Sequence, residues 1–413
     1  VLFTKPKRSV GIDVGTHSVK AVSMTRHGGR LRVDQVGYAL IDKNQYNADP
    51  ILAQADALTM SLYGMPISKS LLVGALPGQT VVIRYPRFSD MPNEQLSMAV
   101  EREAGQNIPY DLSEVFLDWS LLDTYQDGDS TTLKVVLVAA KHEIIDSRVQ
   151  IADAASLQYG VLSVDSLALA DAADSCGMLQ PDETVALINL GASSTSIHFM
   201  RDGVSNFIRD VSWGARELIS AVSKARRVEY AEAEQLLARA YEHEGREPVL
   251  LEPEPETPAE PEAEAPPSGG NLLDPLEDEL GGLGELGGLD ESTPTPAATS
   301  GPQPGGSEEK SMREMLEPAL QRLVAEVRRS FDFYEQQLYE RPVDRILLSG
   351  GAADIPYIRD IMVDELDTRE IEIANPSSGA IEMGNDASID QLAQHPAQYM
   401  VAVGLAARGM SEL

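Results

Sequence analysis

The sequence predicts an α/β protein of two pseudo-equivalent lobes, and three observations predict it. Apolar runs of strand length alternate with segments of helical periodicity from residue 9 to residue 241. A strand–turn–strand unit at 9–22, SVGIDVGTHSVKAV, returns in outline at 185–203 as VALINLGASSTSIHFMRDG. From about Glu244 to Ser311 the composition shifts to Pro, Gly and Glu, interrupting the second half without ending it.

The alternation is legible element by element. Strand-like runs fall at 9–13, 18–24, 31–40, 71–76, 80–85, 115–122, 133–140, 161–164, 184–190, 194–200 and 205–211. Helical periodicity occupies 50–63, 93–105, 142–158, 166–176, 213–226 and 229–241. Beyond the interruption, Met315, Leu316, Leu320, Leu323, Val327, Phe331, Tyr334 and Leu338 form one helical stripe. A buried strand at 345–349, the pair Gly350-Gly351 and a further helix follow. The two strand–turn–strand units match in order of residue type: Asp13 with Asn189, Gly15 with Gly191, Thr16 with Ala192, Ser18 with Ser194. A unit duplicated halfway along a chain implies two related subdomains.

The interrupting stretch cannot bury enough apolar area to offset its ordering entropy, and it reads as a disordered insertion. Residues 241–310 hold 18 acids against Arg246 and Lys310, half of the formal net charge of -32. That balance argues against a nucleic-acid backbone or an anionic membrane surface as partner. The single Cys176 excludes a disulfide framework, and the six histidines never fall at zinc-ligand spacing. No apolar run approaches membrane-spanning length, and VLFTKPKRS lacks a secretory core, so a cytoplasmic protein is expected. Lys69-Ser70 after Gly64 has the look of a P-loop, but Ser68 stands where its second glycine must be.

The chemistry sits at the turns. A tight Gly/Thr/Ser turn between two strands presents backbone N–H groups and hydroxyls to an oxyanion. Gly15 lets a phosphate approach the main chain, Asp13 is placed for a metal-bound water, and Lys20 supplies positive charge. A hairpin turn selected only for its conformation has the same residue types. Two such turns facing one another would grip a polyphosphate, and Gly350-Gly351 at a strand end leaves room for a flat ring. Asp165 and Glu217 stand where they can face the same cleft or serve as a helix cap and a solvated face.

These three elements, in this order, resemble the actin, sugar kinase and heat-shock ATPase superfamily. The segment AVEREAGQNIPYDLSEVFLDWSLLD at 99–123 narrows this to the type IV pilus assembly family PilM, through Glu103-Ala104, Ile108-Pro109-Tyr110 and the run from Val115 to Trp119. The following AAKHEIIDSRVQIADAASLQYGVLSVDSLALADA is also similar to that family's connecting segment. The resemblance implies an actin-like (ribonuclease H-like) duplicated fold with an extra subdomain like that of the division protein FtsA. Its divisions would be 1–77 for the first subdomain, 78–155 for the extra one and 156–243 for the first part of the second lobe. The insertion would occupy 244–311 and the rest of the second lobe 312–413.

By the same resemblance the cofactors are ATP and Mg²⁺. Asp13 would hold the metal through water, and Gly15, Thr16, His17, Ser18 and Lys20 would form the first phosphate turn. Asn189, Gly191, Ala192, Ser193, Ser194 and Thr195 would form the second, with Glu234 near the ribose and Gly350 and Gly351 at the adenosine. The partner would be the N-terminal cytoplasmic peptide of a PilN-like inner-membrane protein, lying extended in a groove between the extra subdomain and the first, with Ile108, Pro109 and Tyr110 at its rim unless they form a loop packed on their own helix. Other pilus assembly components, a homo-oligomer and membrane association through the partner alone complete the expectation. Asn271-Leu272-Leu273-Asp274 is similar to the core of such peptides and would compete for the same groove.

Two departures bear on activity. Asn189 replaces the usual carboxylate, and an amide hydrogen-bonds without balancing a cation's charge. Leu237 replaces a family lysine after Ala233-Glu234. Nucleotide binding with little or no hydrolysis is therefore expected. The alternatives are an active ATPase or phosphotransferase, and an FtsA-like cytoskeletal protein. The last would need a membrane-binding tail, whereas VAVGLAARGMSEL has one Arg and no basic face.

Overall fold

The structure, a computed structural model, describes residues 6–128, 130–242, 310–366 and 370–411. The acidic insertion, with Asn271 to Asp274, falls outside these residues apart from the edge of the helix that follows it. The chain opens with β1 (Arg8–Val14), β2 (Ser18–His27), β3 (Arg30–Leu40), α1 (Lys43–Ala48), α2 (Pro50–Ser61) and β4 (Leu71–Leu76). It continues through β5 (Val81–Arg84), β6 (Arg87–Ser89), α3 (Asn93–Asn107), β7 (Val115–Asp127), β8 (Ser130–Lys141) and α4 (His142–Ala154). Then come β9 (Val161–Val164), α5 (Asp165–Ser175), β10 (Thr184–Leu190), β11 (Thr195–Arg201), β12 (Val204–Val211), α6 (Ala215–Arg226) and α7 (Tyr230–Glu242). The last part holds α8 (Met312–Asp332), β13 (Arg345–Ser349), α9 (Pro356–Glu365), β14 (Glu370–Ile373), β15 (Glu382–Met383), α10 (Ile389–Gln394) and α11 (Met400–Ser411).

The duplication is complete at the level of sheet topology. One sheet runs β15-β3-β2-β1-β4-β9 and the other β12-β11-β10-β13-β14. Setting β15 aside, each has two antiparallel ladders followed by two parallel ones. The second hairpin of each lobe turns on two residues with positive φ, Gly28-Gly29 in one and Asp202-Gly203 in the other. Such pairs match the right-handed twist of the flanking strands.

Two helices lie between the sheets. Nearly every residue of α11 is buried, which is why its sequence is apolar all round. It crosses α5 so closely that a Cβ on Gly404 would stand 1.7 Å from the Ala168 carbonyl oxygen. It also presses on β1, where a Cβ on Gly11 would stand 2.1 Å from the Ala402 carbonyl oxygen. Leu169, Ala173, Val403 and Ala406 share one core with Val22 and Met24 of the first sheet and Val185 and Leu187 of the second. Among the described residues no helix is long and apolar enough to cross a membrane.

A third sheet forms from β5 and β6 on one side of β8 and β7 on the other. Helix α3 covers one of its faces, packing Leu96, Val100 and Ala104 on Leu133, Val135 and Leu137. Three strands escaped the sequence pattern, β6, β14 and β15, because two to four residues give too short a period to read. The stripe predicted to continue to Leu338 breaks at Phe333, where the helix widens into a π turn over Phe333–Gln337. That turn stacks Tyr334 on Phe199 at 4.2 Å and leaves Leu338 exposed.

Candidate functional site

The two predicted turns are copies of each other. Gly15 N donates to Ser18 O at 3.1 Å, and Gly191 N donates to Ser194 O at 3.0 Å. In the ladders Asp13 faces Lys20 and Asn189 faces Ser196, so Ser196 is the counterpart of Lys20. The turns meet across the lobes, with Thr16 Oγ1 2.7 Å from Ser193 Oγ. Three successive carbonyls of the first turn are occupied by side-chain donors: Val14 O by Arg148, Gly15 O by Gln54 and Thr16 O by Arg216. Pinning the carbonyls fixes the peptide planes before any ligand arrives. The second turn is held by the start of α6, whose Ala215 and Arg216 N–H groups donate to Gly191 O and Ala192 O. Gly214 makes that approach possible, since a Cβ there would lie 2.5 Å from Ala192 O.

Both turns open on a cavity of about 1010 Å³ between the lobes. Asp13, Gly15, Thr16, His17, Ser18 and Lys20 line it from one lobe. Asn189, Gly191, Ala192, Ser193, Ser194, Glu234, Gly350 and Gly351 line it from the other. Gly350 has φ +90° and would set a Cβ 2.4 Å from Leu190 O, so glycine is required there. Ile219, Leu237, Ala238 and Ile355 add apolar wall on the Gly350-Gly351 side of the second lobe. This gives Leu237, apolar where the family resemblance implies a lysine, a place in that wall.

One residue of the second turn belongs elsewhere. Thr195 is buried and donates its hydroxyl to Trp213 O at 2.9 Å, outside the cavity lining. Strand alternation is the reason, because Ser194 and Ser196 take the opposite face. Glu217 also lies outside the lining and pairs with Arg322 at 2.5 Å. Sequence reasoning missed Arg216, Lys43 and Tyr230. Lys43 binds Glu234 across the mouth and lies 4.7 Å from the centre of the Tyr230 ring, and Glu234 also stands 3.9 Å from His17. None of these has a local motif; they converge only when the lobes close. Burial in the mouth lowers the pKa of His17 despite the opposing pull of Glu234.

The floor of the cavity is acidic. Asp165 Oδ1 accepts from Gly78 N at 2.9 Å and from Ser166 N at 2.6 Å, which makes it both a helix-terminus ligand and a wall residue. Burial pushes its pKa up to about 7, assisted by the Asp210 and Asp13 carboxylates, and burial alone pushes Asp210 to about 6. A carboxyl raised in the folded state binds its proton earlier than in the unfolded chain. Its contribution to stability therefore grows as pH falls from about 7 towards about 4. His198, held neutral by burial with a pKa of about 4, acts in the opposite sense as pH falls below its ordinary 6.5. Asp165→Asn keeps an oxygen for Gly78 and Ser166 and removes the charge. It should raise the melting temperature at pH 8 by about 3 °C or more and show little gain at pH 5.5. Thermal melts of wild type and variant at the two pH values check this; equal differences at both would refute it.

A second cavity of about 520 Å³ lies between the third sheet and the first lobe. One wall is the face of the third sheet turned away from α3, through Phe116 and Asp118 of β7 and Val138 and Ala140 of β8, and the other includes β9, which among the described residues pairs with β4. Phe116 and Val149 line it while 58% and 40% exposed, and the Ser163 hydroxyl of β9 is buried beside it with no hydrogen-bond partner among the described residues. The predicted rim at 108–110 lies elsewhere. Ile108 closes α3 and is buried with Leu96 and Val100, because its N–H completes the helix on Ala104 O. Pro109 is exposed, and the Tyr110 ring lies 4.5 Å from the Lys141 ammonium. None of the three lines either cavity.

Residues 11–254 and 298–410 match the family described as Type IV pilus assembly protein PilM. Among solved structures the chain is similar to the PilM-PilN type IV pilus biogenesis complex, at 19% identity over 97% of this chain and 98% of that chain, with a TM-score of 0.70. That likeness establishes a common fold. More distant are ethanolamine utilization protein EutJ from Carboxydothermus hydrogenoformans (11% identity, 98% and 90% covered, TM-score 0.47) and MreB 5 of Spiroplasma citri bound to AMPPNP (12%, 97% and 95%, 0.43).

Proposed function

This chain belongs to the PilM family of type IV pilus assembly proteins, and from that membership we propose an actin-like scaffold that binds ATP between its lobes and a PilN-like peptide in its second cavity. The observation that carries the nucleotide half is the pair of turns closed by the same Gly N–H to Ser carbonyl bond and meeting at Thr16 and Ser193 over one cavity. Phosphate oxygens would meet the two turns, the Lys20 ammonium and the Arg216 guanidinium, and the base would rest by Gly350-Gly351 and the apolar wall. Asp13 would hold Mg²⁺ through water; the ion neutralises phosphate charge when bound. The donor set fits such an ion only in this indirect way, since no group of three metal-ligating side chains occurs among the described residues.

Asn189 supports binding with little or no hydrolysis. Its side-chain oxygen faces the Ser349 hydroxyl at 3.5 Å, and an amide cannot take a proton from water as a carboxylate can. The peptide half rests on the groove between β7 and β9. The edge of β9 that is unpaired among the described residues would supply main-chain hydrogen bonds to an extended chain, and Phe116 on the facing side of the third sheet and Val149 would supply an apolar grip. Membrane association would come through that partner, beneath the inner membrane, with other assembly components and self-association as further contacts.

Titration calorimetry with MgATP and with the N-terminal peptide of a PilN-like protein tests both halves. Val149→Asp should weaken the peptide at least about tenfold, the penalty of a carboxylate in an apolar contact, and leave MgATP unchanged. Peptide affinity indifferent to Val149→Asp would remove the groove from the proposal. Absence of any adenine-nucleotide binding would remove the cavity.

A further inference from the structure

The two cavities share a wall. Leu76 lines both, and β9, the edge of the peptide groove, runs directly into Asp165 at the floor of the nucleotide cavity. From that floor a buried chain of hydrogen bonds leads to the third sheet. Asp165 Oδ1 holds Ser166 N; Ser166 O lies 2.9 Å from His198 Nδ1; His198 Nε2 lies 2.7 Å from Ser205 Oγ; and Ser205 Oγ lies 2.7 Å from the Tyr85 hydroxyl. Tyr85 stands between β5 and β6. Asp165 also holds Gly78 N, where the chain leaves the first lobe for the same sheet.

The direction of every proton in this chain is determined. Ser166 O can only accept, so His198 carries its hydrogen on Nδ1. The ring is neutral, because complete burial holds its pKa near 4. Nε2 must therefore accept from Ser205, which leaves Ser205 to accept from the Tyr85 hydroxyl. A chain so oriented has one low-energy arrangement, and displacing either end breaks it. A second link runs alongside: the Lys134 ammonium of β8 donates to Asn206 Oδ1, and Asn206 Nδ2 donates to the Tyr334 hydroxyl at 2.8 Å. Strand β12 carries Ser205 and Asn206 at one end and Asp210, a cavity-wall residue, at the other.

We propose that Tyr85, Ser205 and His198 are positioning residues that couple the nucleotide cavity to the peptide groove, so that MgATP changes the affinity for the PilN-like peptide. The inference rests on the functional reading above. Phosphate arriving at the floor beside Asp165 moves Gly78 and the start of α5, and the chain passes that movement to β7 and β8, the far wall of the groove. Coupling of this kind is reciprocal, so the peptide changes the affinity for MgATP by the same factor.

The test measures peptide Kd on the full chain with and without saturating MgATP. The expected ratio in the wild type is about fivefold or more. Tyr85→Phe removes one hydroxyl and keeps the ring; the ratio should fall below about twofold while the MgATP Kd stays within about threefold of the wild type. Should Tyr85→Phe fail to fold, Ser205→Ala breaks the chain at its centre and should give the same result. A purely structural role would lower the melting temperature and leave the ratio intact. A wild-type ratio of one, with both ligands binding, overturns the coupling and leaves the functional reading in place; a retained ratio in the folded variants overturns the residue assignment. Failure of the wild type to bind either ligand alone overturns both.

Discussion

Lys20→Ala should raise the Kd for MgATP by about ten- to a hundredfold. The Lys20 ammonium stands 3.4 Å from Asp13 Oδ2 and 3.9 Å from where a Cβ on Gly15 would be, which sets it at the first phosphate turn. A charge-assisted hydrogen bond to a phosphate is worth about 1.5–3 kcal/mol, and each 1.4 kcal/mol is a factor of ten. The variant loses more than one contact, because Asp13 is left without its cation and then repels the incoming phosphate. Lys20→Arg keeps the charge and should recover part of the affinity. Calorimetric titration of the three proteins decides the matter, and a Kd for Lys20→Ala within about threefold of the wild type would exclude Lys20 from the phosphate site.

Gly404→Val should cost the folded protein about 4 kcal/mol or more. The added Cβ would fall 1.7 Å from Ala168 O, 2.6 Å from Ala168 C and 3.0 Å from Ala172 N, all backbone atoms of α5. A flexible side chain can move aside; a helix backbone held between two sheets moves only by separating them. The crossing of α5 and α11 is the joint between the lobes, so the same substitution should also abolish nucleotide binding by any protein that remains soluble. Gly404→Ala places a Cβ at the same spot and should be damaging too, although it adds no branch to the crowding. Thermal or urea unfolding checks both; a Gly404→Val melting temperature within about 3 °C of the wild type would show that the helices can part without harm.

Much of the lining of the cavity between the lobes was legible because it is built from local signals. The Asp-x-Gly-Thr and Asn-x-Gly-Ala turns are short patterns read within a few residues. Gly350-Gly351 at a strand end is likewise local, and the positive φ of Gly350 explains the glycine at that position. The resemblance places Thr195 in the second phosphate turn with Ser193 and Ser194, but the two-residue period of β11 turns it to Trp213. Ile108 is expected at the rim of the peptide groove, but as the residue that closes α3 it packs its apolar side chain in the core.

The amino-acid sequence by itself determined the duplicated hairpins, the α/β class and the family, since periodicity and turn chemistry act over spans shorter than one helix or strand pair. Only the tertiary structure decided that Lys43 meets Glu234, that Arg216 holds Thr16, that one face of β7 and β8 and the strand β9 line one groove, and that His198 stands between Ser166 and Ser205. Lys43 and Arg216 are 191 and 200 positions from the residues they hold. A sequence pattern records which face of an element is buried, whereas partners so far apart are chosen by how whole lobes pack, through contacts that leave no periodic trace in either segment.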